Sequence, residues 1–337
     1  MKRPFVSIVI PVYNSQETIE SCLNSLLNLN YPKDRYEIIL VDDHSTDKSA
    51  RIVSSFSSIN KNIRFFRQKK GKKGPAAARN LGIRKARGEF IASTDADESM
   101  FPDWLNKLMP YFSNQKIGAV GALLVEKHYL DSGLAPKIQS ILIDPAAKPG
   151  IVAAGNVIYR KSALSKAGYF NEFCTFNDLD VDLHSRIREN GYILRPIRKY
   201  LGQHKQRHTL SAFYKRMFGF GAAGLIMAFF NFKKAFENRF KNHKGVLHYS
   251  ALFTLLIAYP ITLIASLFFN VNLFCLLIFI ALFLMMFYSI AESILHLRRT
   301  KSTMLYFPIL SFYVFVKLMA IIQGTIYGFF YYIKNKK

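Results

Sequence analysis

Phe5-Val6-Ser7-Ile8-Val9-Ile10-Pro11-Val12-Tyr13-Asn14 opens the chain's first ordered pattern. The run Phe5–Ile10 is β-rich and continuous, as a strand buried on both faces of a parallel sheet would be. Asn14, with Glu17 three residues on, predicts a capped helix start. That helix has the apolar face Ile19, Leu23, Leu26 and Leu27. Glu37–Val41 is the next expected strand and ends in Asp42-Asp43-His44-Ser45-Thr46-Asp47. A helix through Ile52 and Phe56 leads to a third strand, Ile63–Phe66. Pro75 opens another helix, Ala76–Arg87, at the position that tolerates proline. Phe90–Thr94 is the fourth strand. This β-α-β-α alternation argues for an α/β domain with a Rossmann-like, doubly wound, mostly parallel sheet.

Ligands of such sheets bind outside the carboxyl ends of the strands. Three polar strand ends would therefore meet at one edge: Pro11-Val12-Tyr13-Asn14, Asp42-Asp43 and Asp95-Ala96-Asp97. Two carboxylates one residue apart can share a hard divalent cation, whose open positions take phosphate oxygens. In isolation such a pair also serves turns and helix caps, and Pro102 does suggest a helix start nearby. Together the three ends suit a nucleotide diphosphate. Tyr13 would lie near the base, Asp43 would accept from a base N–H, and Asp95 and Asp97 would serve ribose and metal. Asp42, Ser45 and Asp47 also suit a helix-start turn. Lys69, Lys70, Lys72 and Lys73 surround Gly71 and Gly74 just before a helix N-terminus, an arrangement that favours phosphate. Arg79, one turn into that helix, is the better candidate for reaching an anion.

These motifs, in this order, resemble the family 2 glycosyltransferases. The resemblance rests on residues 6–14, Val41–Asp47, Ala78-Arg79-Asn80-Leu81-Gly82 and Asp95-Ala96-Asp97, and it runs through residues 5–205. It implies an inverting enzyme of GT-A fold that uses a nucleotide sugar with Mn²⁺ or Mg²⁺. By resemblance, Pro11, Val12, Tyr13, Asp43 and Asp95 hold the nucleotide and Asp97 binds the metal. The family's downstream catalytic motif, Glu-Asp-x-Asp-Leu-x-x-Arg, is matched by Leu179-Asp180-Val181-Asp182-Leu183-His184-Ser185-Arg186. Leu179 stands where the family has Glu. The resemblance implies Asp180 as the base that deprotonates the acceptor hydroxyl, with Asp178 and Asp182 leaving the register open by two. Asp182 could instead pair with Arg186 one turn on. Gly155-Asn156 resembles the loop near donor sugar and acceptor, where glycine permits close approach. His204 matches a family position that meets the metal or the diphosphate.

Composition divides the 337 residues sharply. Residues 1–205 mix charged and apolar residues like a soluble domain. Residues 206–245 include Thr209–Phe232, a basic, aromatic helix suited to a membrane interface. Residues 246–337 carry three apolar stretches, 247–269, 273–297 and 305–333, of the length that crosses a bilayer. Lys317 and Gln323 interrupt the third, leaving open whether it spans fully. The net charge of +24 suits nucleic acid or an anionic membrane surface, and the apolar stretches favour the membrane over nucleic acid. Basic clusters before the first stretch and after the second predict a multi-pass cell-membrane protein with its N-terminal domain on the cytoplasmic side. No secretory leader pattern follows Met1-Lys2-Arg3. Cys22, Cys174 and Cys275 lack metal-ligand spacing and read as small buried hydrophobes in a reducing compartment.

The sequence thus predicts a membrane-bound glycosyltransferase that moves a sugar from a UDP- or GDP-sugar to a lipid-linked or membrane-proximal acceptor. A polyprenyl-phosphate sugar synthase shares these features. A non-catalytic nucleotide sensor would not need the Asp180 carboxylate. A processive synthase is disfavoured, because its Gln-x-x-Arg-Trp motif has no counterpart: the one tryptophan is Trp104.

Overall fold

A computed structural model describes residues 3–69, 74–126, 155–172 and 179–205, with isolated helical positions between 211 and 327. The chain divides into two compact units, Met1–Ser132 with Asp144–Gln206, and Gly133–Ile143 with Arg207–Lys337.

The first unit is a mixed eight-stranded sheet with helices packed on it. Its elements run β1 (Val6–Val12), α1 (Ile19–Leu27), β2 (Tyr36–Asp42), α2 (Ser49–Ile59), β3 (Ile63–Arg67), α3 (Pro75–Lys85) and β4 (Phe90–Ser93). There follow β5 (Glu98–Met100), α4 (Trp104–Leu108), β6 (Ile117–Glu126), β7 (Val157–Arg160), α5 (Lys161–Ala167), α6 (Leu179–Glu189) and β8 (Ile193–His204). The strand order is β3-β2-β1-β4-β7-β6-β8-β5. The four strands expected from the alternation are present, and β3, β2, β1 and β4 are all parallel. Beyond β4 the sheet turns mixed: β7 is antiparallel to both β4 and β6, β8 is parallel to β6, and β5 is antiparallel to β8. The mostly parallel expectation therefore holds for the first half only.

Continuous apolar strands produce a continuous core. Ile8, Ile10, Ile38 and Leu40 are fully buried, and the α1 face Ile19, Leu23 and Leu26 closes over them. The start of α1 differs from expectation. Thr18, not Asn14, is its N-cap residue, and no side chain caps it. Asn14 instead takes a left-handed backbone (φ 46°), and its Oδ1 accepts from the Thr46 N–H at 2.9 Å. It thereby ties the loop after β1 to the loop after β2.

A set of interior bonds ties α4 and the start of β7 to β6. Trp104, fully buried, donates its indole N–H to Asn156 Oδ1 at 2.7 Å. The Asn156 amide donates to the Leu123 carbonyl at 3.0 Å, and its own carbonyl accepts from the Ala122 N–H.

The three apolar stretches lie almost wholly outside the described residues, and among the described residues no helix is long and apolar enough to cross a membrane. Within the second unit, Tyr214 donates to Gln323 Oε1, and Phe218 meets Tyr327 at 5.5 Å between ring centroids. Gln323, a polar break in the third apolar stretch, thus has a side-chain partner.

Asn156→Ala removes the acceptor of one buried donor and the donor to a partly buried carbonyl. Each such loss costs about 1–3 kcal/mol, so denaturant unfolding followed by the fluorescence of Trp104 is expected to show a loss of about 2–5 kcal/mol.

Candidate active site

The parallel register sets the working edge of the sheet. Val12 pairs with Asp42, Asp42 with Arg67, and Val9 with Ser93. The residues that follow these partners leave the sheet side by side. Tyr13 is 60% exposed at the end of β1, free to offer its ring as a platform. Val12 is fully buried and has only backbone to offer; its carbonyl accepts from the Asp43 N–H at 2.8 Å. Pro11 is half-buried beside it.

Asp42 and Asp43 divide their work. Asp42 is buried and accepts from Arg67 Nε at 3.2 Å and from the Ser45 N–H at 3.3 Å, so it meets the structural need of the turn. Asp43 accepts from the Gly74 N–H through Oδ2 at 2.7 Å, and its buried Oδ1 has no hydrogen-bond partner. Gly74 adopts φ 100°, which favours glycine, and Pro75 then opens α3. Of the lysine segment, only Lys69 lies among the described residues, and it is exposed. The loop between is laced by side chains. Asp47 accepts from the Gln16 and Ser49 N–H groups; partial burial pushes its carboxyl up, and these bonds and the Ser49 hydroxyl outweigh it and hold it low.

Asp95 and Asp97 have separate surroundings. Asp95 forms an ion pair with Arg79, which is 5% exposed and also lies over the Phe170 ring at 5.8 Å. Arg79 therefore orients Asp95 instead of reaching outward alone. Asp97, with a side chain 44% exposed, meets His204 Nε2 at 3.2 Å. The pairing of Glu98 with His204 across β5 and β8 makes that contact, and the Lys205 N–H extends it to the Asp97 carbonyl. Carboxylate and imidazole together fit a divalent cation of the Mn²⁺ kind. Among the described residues no group of three or more His, Cys, Asp or Glu side chains forms a complete ligand set. Remaining positions would go to water and phosphate oxygens.

Asp180 lies half-buried in the first turn of α6. The charges of Asp180, Arg79 and Asp95 all bear on the buried phenol of Tyr159. Burial pushes that phenol well up, Asp180 adds to the effect, Arg79 opposes it, and Asp95 adds again. Asp182 is buried and bonded to Arg186 Nε at 3.0 Å and Nη2 at 2.5 Å. Asp182 is thus engaged by Arg186, while Asp178 lies outside the described residues.

The two residues expected near the sugar, Gly155 and Asn156, are both buried. Asn156 faces the core, with its amide engaged by Trp104 and Leu123. Gly155 is needed for packing: a Cβ there would stand 2.1 Å from Glu98 Oε1.

A family model described as glycosyl transferase family 2 matches residues 7–165. Glycosyltransferase AglE of Haloferax volcanii is 30% identical over 209 residues, covering 60% of this chain and 68% of that protein. The chain belongs to glycosyltransferase family 2. A β-monoglucosyldiacylglycerol synthase of Nostoc is 27% identical over 188 residues, covering 53% of this chain and 40% of the synthase. The mannosyltransferase PcManGT from Pyrobaculum calidifontis, solved with GDP-Man and Mn²⁺, superposes with a TM-score of 0.61. That match covers 95% of this chain and 88% of the other at 18% identity, a likeness of fold. The fold of this family 2 glycosyltransferase is GT-A.

Sequence reasoning gave no role to three buried residues, Glu98, Asn80 and Tyr159. Glu98 is buried; its Oε2 accepts from the Thr94 hydroxyl at 2.8 Å and the Asp95 N–H at 3.0 Å. Burial, then the Asp95 charge, push its carboxyl well up; His204 opposes and Asp97 adds. The spacing Asp95-x-x-Glu98 was the available signal, since a side chain three residues on can reach back to a backbone N–H. Asn80 exchanges two bonds with the Phe170 backbone, at 2.8 and 3.0 Å, and so fixes the segment under Arg79. Tyr159 bonds His184 Nε2 at 2.9 Å inside the unit.

Glu98→Gln keeps a side-chain oxygen able to accept both bonds, and thermal unfolding is expected within about 1 kcal/mol of the parent. Glu98→Ala leaves a buried hydroxyl and N–H unpaired and is expected to lose about 2–5 kcal/mol.

Burial, aided by the Arg188 charge, lowers His184 to about 3. The unfolded chain takes up that proton near pH 6.5, whereas the folded chain does not. Stability is then complete above pH 6.5 and falls as pH drops toward about 3. By pH 5 the loss from this group is about 2 kcal/mol. Unfolding curves of the parent and His184→Gln across pH 5–7 are expected to differ by that slope.

Proposed function

We propose that this protein is a membrane-bound, metal-dependent, inverting glycosyltransferase. It transfers a hexose from a UDP- or GDP-sugar to a lipid-linked or membrane-proximal acceptor. The observation that carries the reading is the convergence of Tyr13, Asp43, Asp95 and Asp97 at one sheet edge, with Asp43 Oδ1 buried and vacant. Such a vacancy fits a ligand N–H.

In this mechanism Tyr13 and Asp43 hold the base, and Asp95, braced by Arg79, orients the ribose end of the donor. Asp97 and His204, which meet at 3.2 Å, would hold the metal. When bound, the cation offsets the negative charge that develops on the departing diphosphate. Asp180 takes the proton from the acceptor hydroxyl as that oxygen attacks the anomeric carbon, and configuration inverts. Asp180 is suited to this because Asp182 is already engaged by Arg186.

The membrane part of the proposal rests on the apolar stretches 247–269, 273–297 and 305–333 and on their basic flanks. These favour a multi-pass protein with its catalytic domain on the cytoplasmic side. A lipid acceptor is further supported by the relative whose name describes glucosyldiacylglycerol synthesis.

The test uses the full chain in detergent or nanodiscs with Mn²⁺, a panel of nucleotide sugars and added membrane lipids. UDP or GDP release is expected only with the correct donor and lipid. Asp97→Asn and Asp180→Asn are each expected to lower turnover by about 10²-fold or more. If both variants turn over like the parent, the mechanism is wrong. Nucleotide binding without turnover across all acceptors would point to a sensor.

A further inference from the structure

Asp180 takes its place from the helix that carries it. α6 packs through Leu183 and Ile187, both fully buried and one turn apart. Apolar burial is non-directional; it selects the face of a helix and leaves its position along its own axis open. Directional bonds close that freedom. Arg186 donates to the Ala167 carbonyl at the end of α5. Nearer Asp180, His184 Nε2 and the Tyr159 hydroxyl share a hydrogen bond of 2.9 Å, with both residues buried. Burial lowers His184 to about 3, so the bond joins two neutral groups. Tyr159 is a fixed reference point, because its strand β7 is paired on both sides: Tyr159 faces Ile91 of β4 and Ala119 of β6 in the ladders.

The same phenol ring reaches toward the donor side. It meets Phe170 edge-on at 6.3 Å between centroids, and Arg79 lies over that Phe170 ring at 5.8 Å. Asp180 and His184 are four residues apart and so share one face of α6. A buried line therefore runs from Arg79, which braces Asp95, through Phe170, Tyr159 and His184 to the turn that bears Asp180. Resting on the glycosyl-transfer reading above, with Asp180 as its base, we propose that Tyr159 is a positioning residue for the reaction. Its bond to His184 sets the place of the base on α6 relative to the donor-side pair Arg79 and Asp95. Tyr159 and His184 are too deeply buried to touch substrate, so they act through one turn of helix. Without the bond α6 is free to slide on its apolar face, and a misplacement of about 1 Å can slow a reaction by about 10²-fold.

The experiment reads kcat and donor KM from nucleotide release. It uses the full chain in detergent with Mn²⁺, UDP-glucose, UDP-N-acetylglucosamine or GDP-mannose, and vesicles containing diacylglycerol or polyprenyl phosphate. Tyr159→Phe is expected to lower kcat by about tenfold or more while donor KM stays within about twofold. Tyr159→Phe with His184→Leu replaces both partners by apolar groups, so the melting transition is expected to return close to that of the parent. Its kcat is expected to remain about tenfold low or lower, whereas a bond that served stability alone would restore both. In an Asp180→Asn background Tyr159→Phe is expected to add no further loss, because the two act as a unit. A parental kcat in Tyr159→Phe or in the double variant, with Asp180→Asn impaired, overturns the inference and leaves the glycosyl-transfer reading intact. So does an equal loss from Tyr159→Phe with and without Asp180. Parental turnover by Asp180→Asn, or no release by the parent from any donor, overturns the reading itself and the inference with it.

Discussion

The parallel pairing of β1 with β2 on one side and β4 on the other is the constraint on which the site depends. Parallel strands all present their carboxyl ends at one edge, so residues some eighty positions apart in sequence become neighbours. A shift of one residue in that register would turn every side chain of the strand to the opposite face. The register is held by burial, because Ile8, Ile10, Ile38 and Leu40 are wholly inside. Two left-handed residues, Asn14 (φ 46°) and His44 (φ 63°), then turn the chain sharply where β1 and β2 end. Backbone of this kind persists where surrounding bonds over-determine it. The side chains of Asn14, Ser45, Asp47 and Ser49 provide those bonds.

The exposed groups of the site stand on buried polar groups. Asp95 is positioned by Arg79 on one side and by Glu98 on the other. Glu98 fits only because position 155 has no side chain. Asn156, next to it, locks Trp104. A buried carboxyl is costly when charged; burial and two neighbouring carboxylates favour its neutral form, and its two accepted bonds keep the turn fixed. Buried bonds thus hold the turn that carries the two carboxylates, and preorganised groups of this kind suit a charged ligand.

Much of the fold was legible because its cause is local. Apolar runs of strand length, a proline at the first turn of α3 and helical spacing of Leu23 and Leu26 are properties of short segments. The mixed half was not legible. Whether β7 runs parallel or antiparallel to β4 depends on where the chain returns, and no residue within Val157–Arg160 encodes that. Asn14 was misread as a helix cap because the same short polar side chain that caps a helix also bridges two loops. Only the neighbouring strand decides which.

The same division applies to the site. The chain's own residues determined a strand-end Tyr13, paired aspartates at 42–43 and 95–97, and the family to which their order belongs. Tertiary structure alone decided that Asp42 is structural, that Asp43 keeps one oxygen without a partner, that Asp182 is engaged by Arg186, and that Asn156 faces inward. The physical reason is that the role of a polar side chain is set by what saturates it. Those partners come from strands and helices far away in sequence, brought close only by the packed sheet.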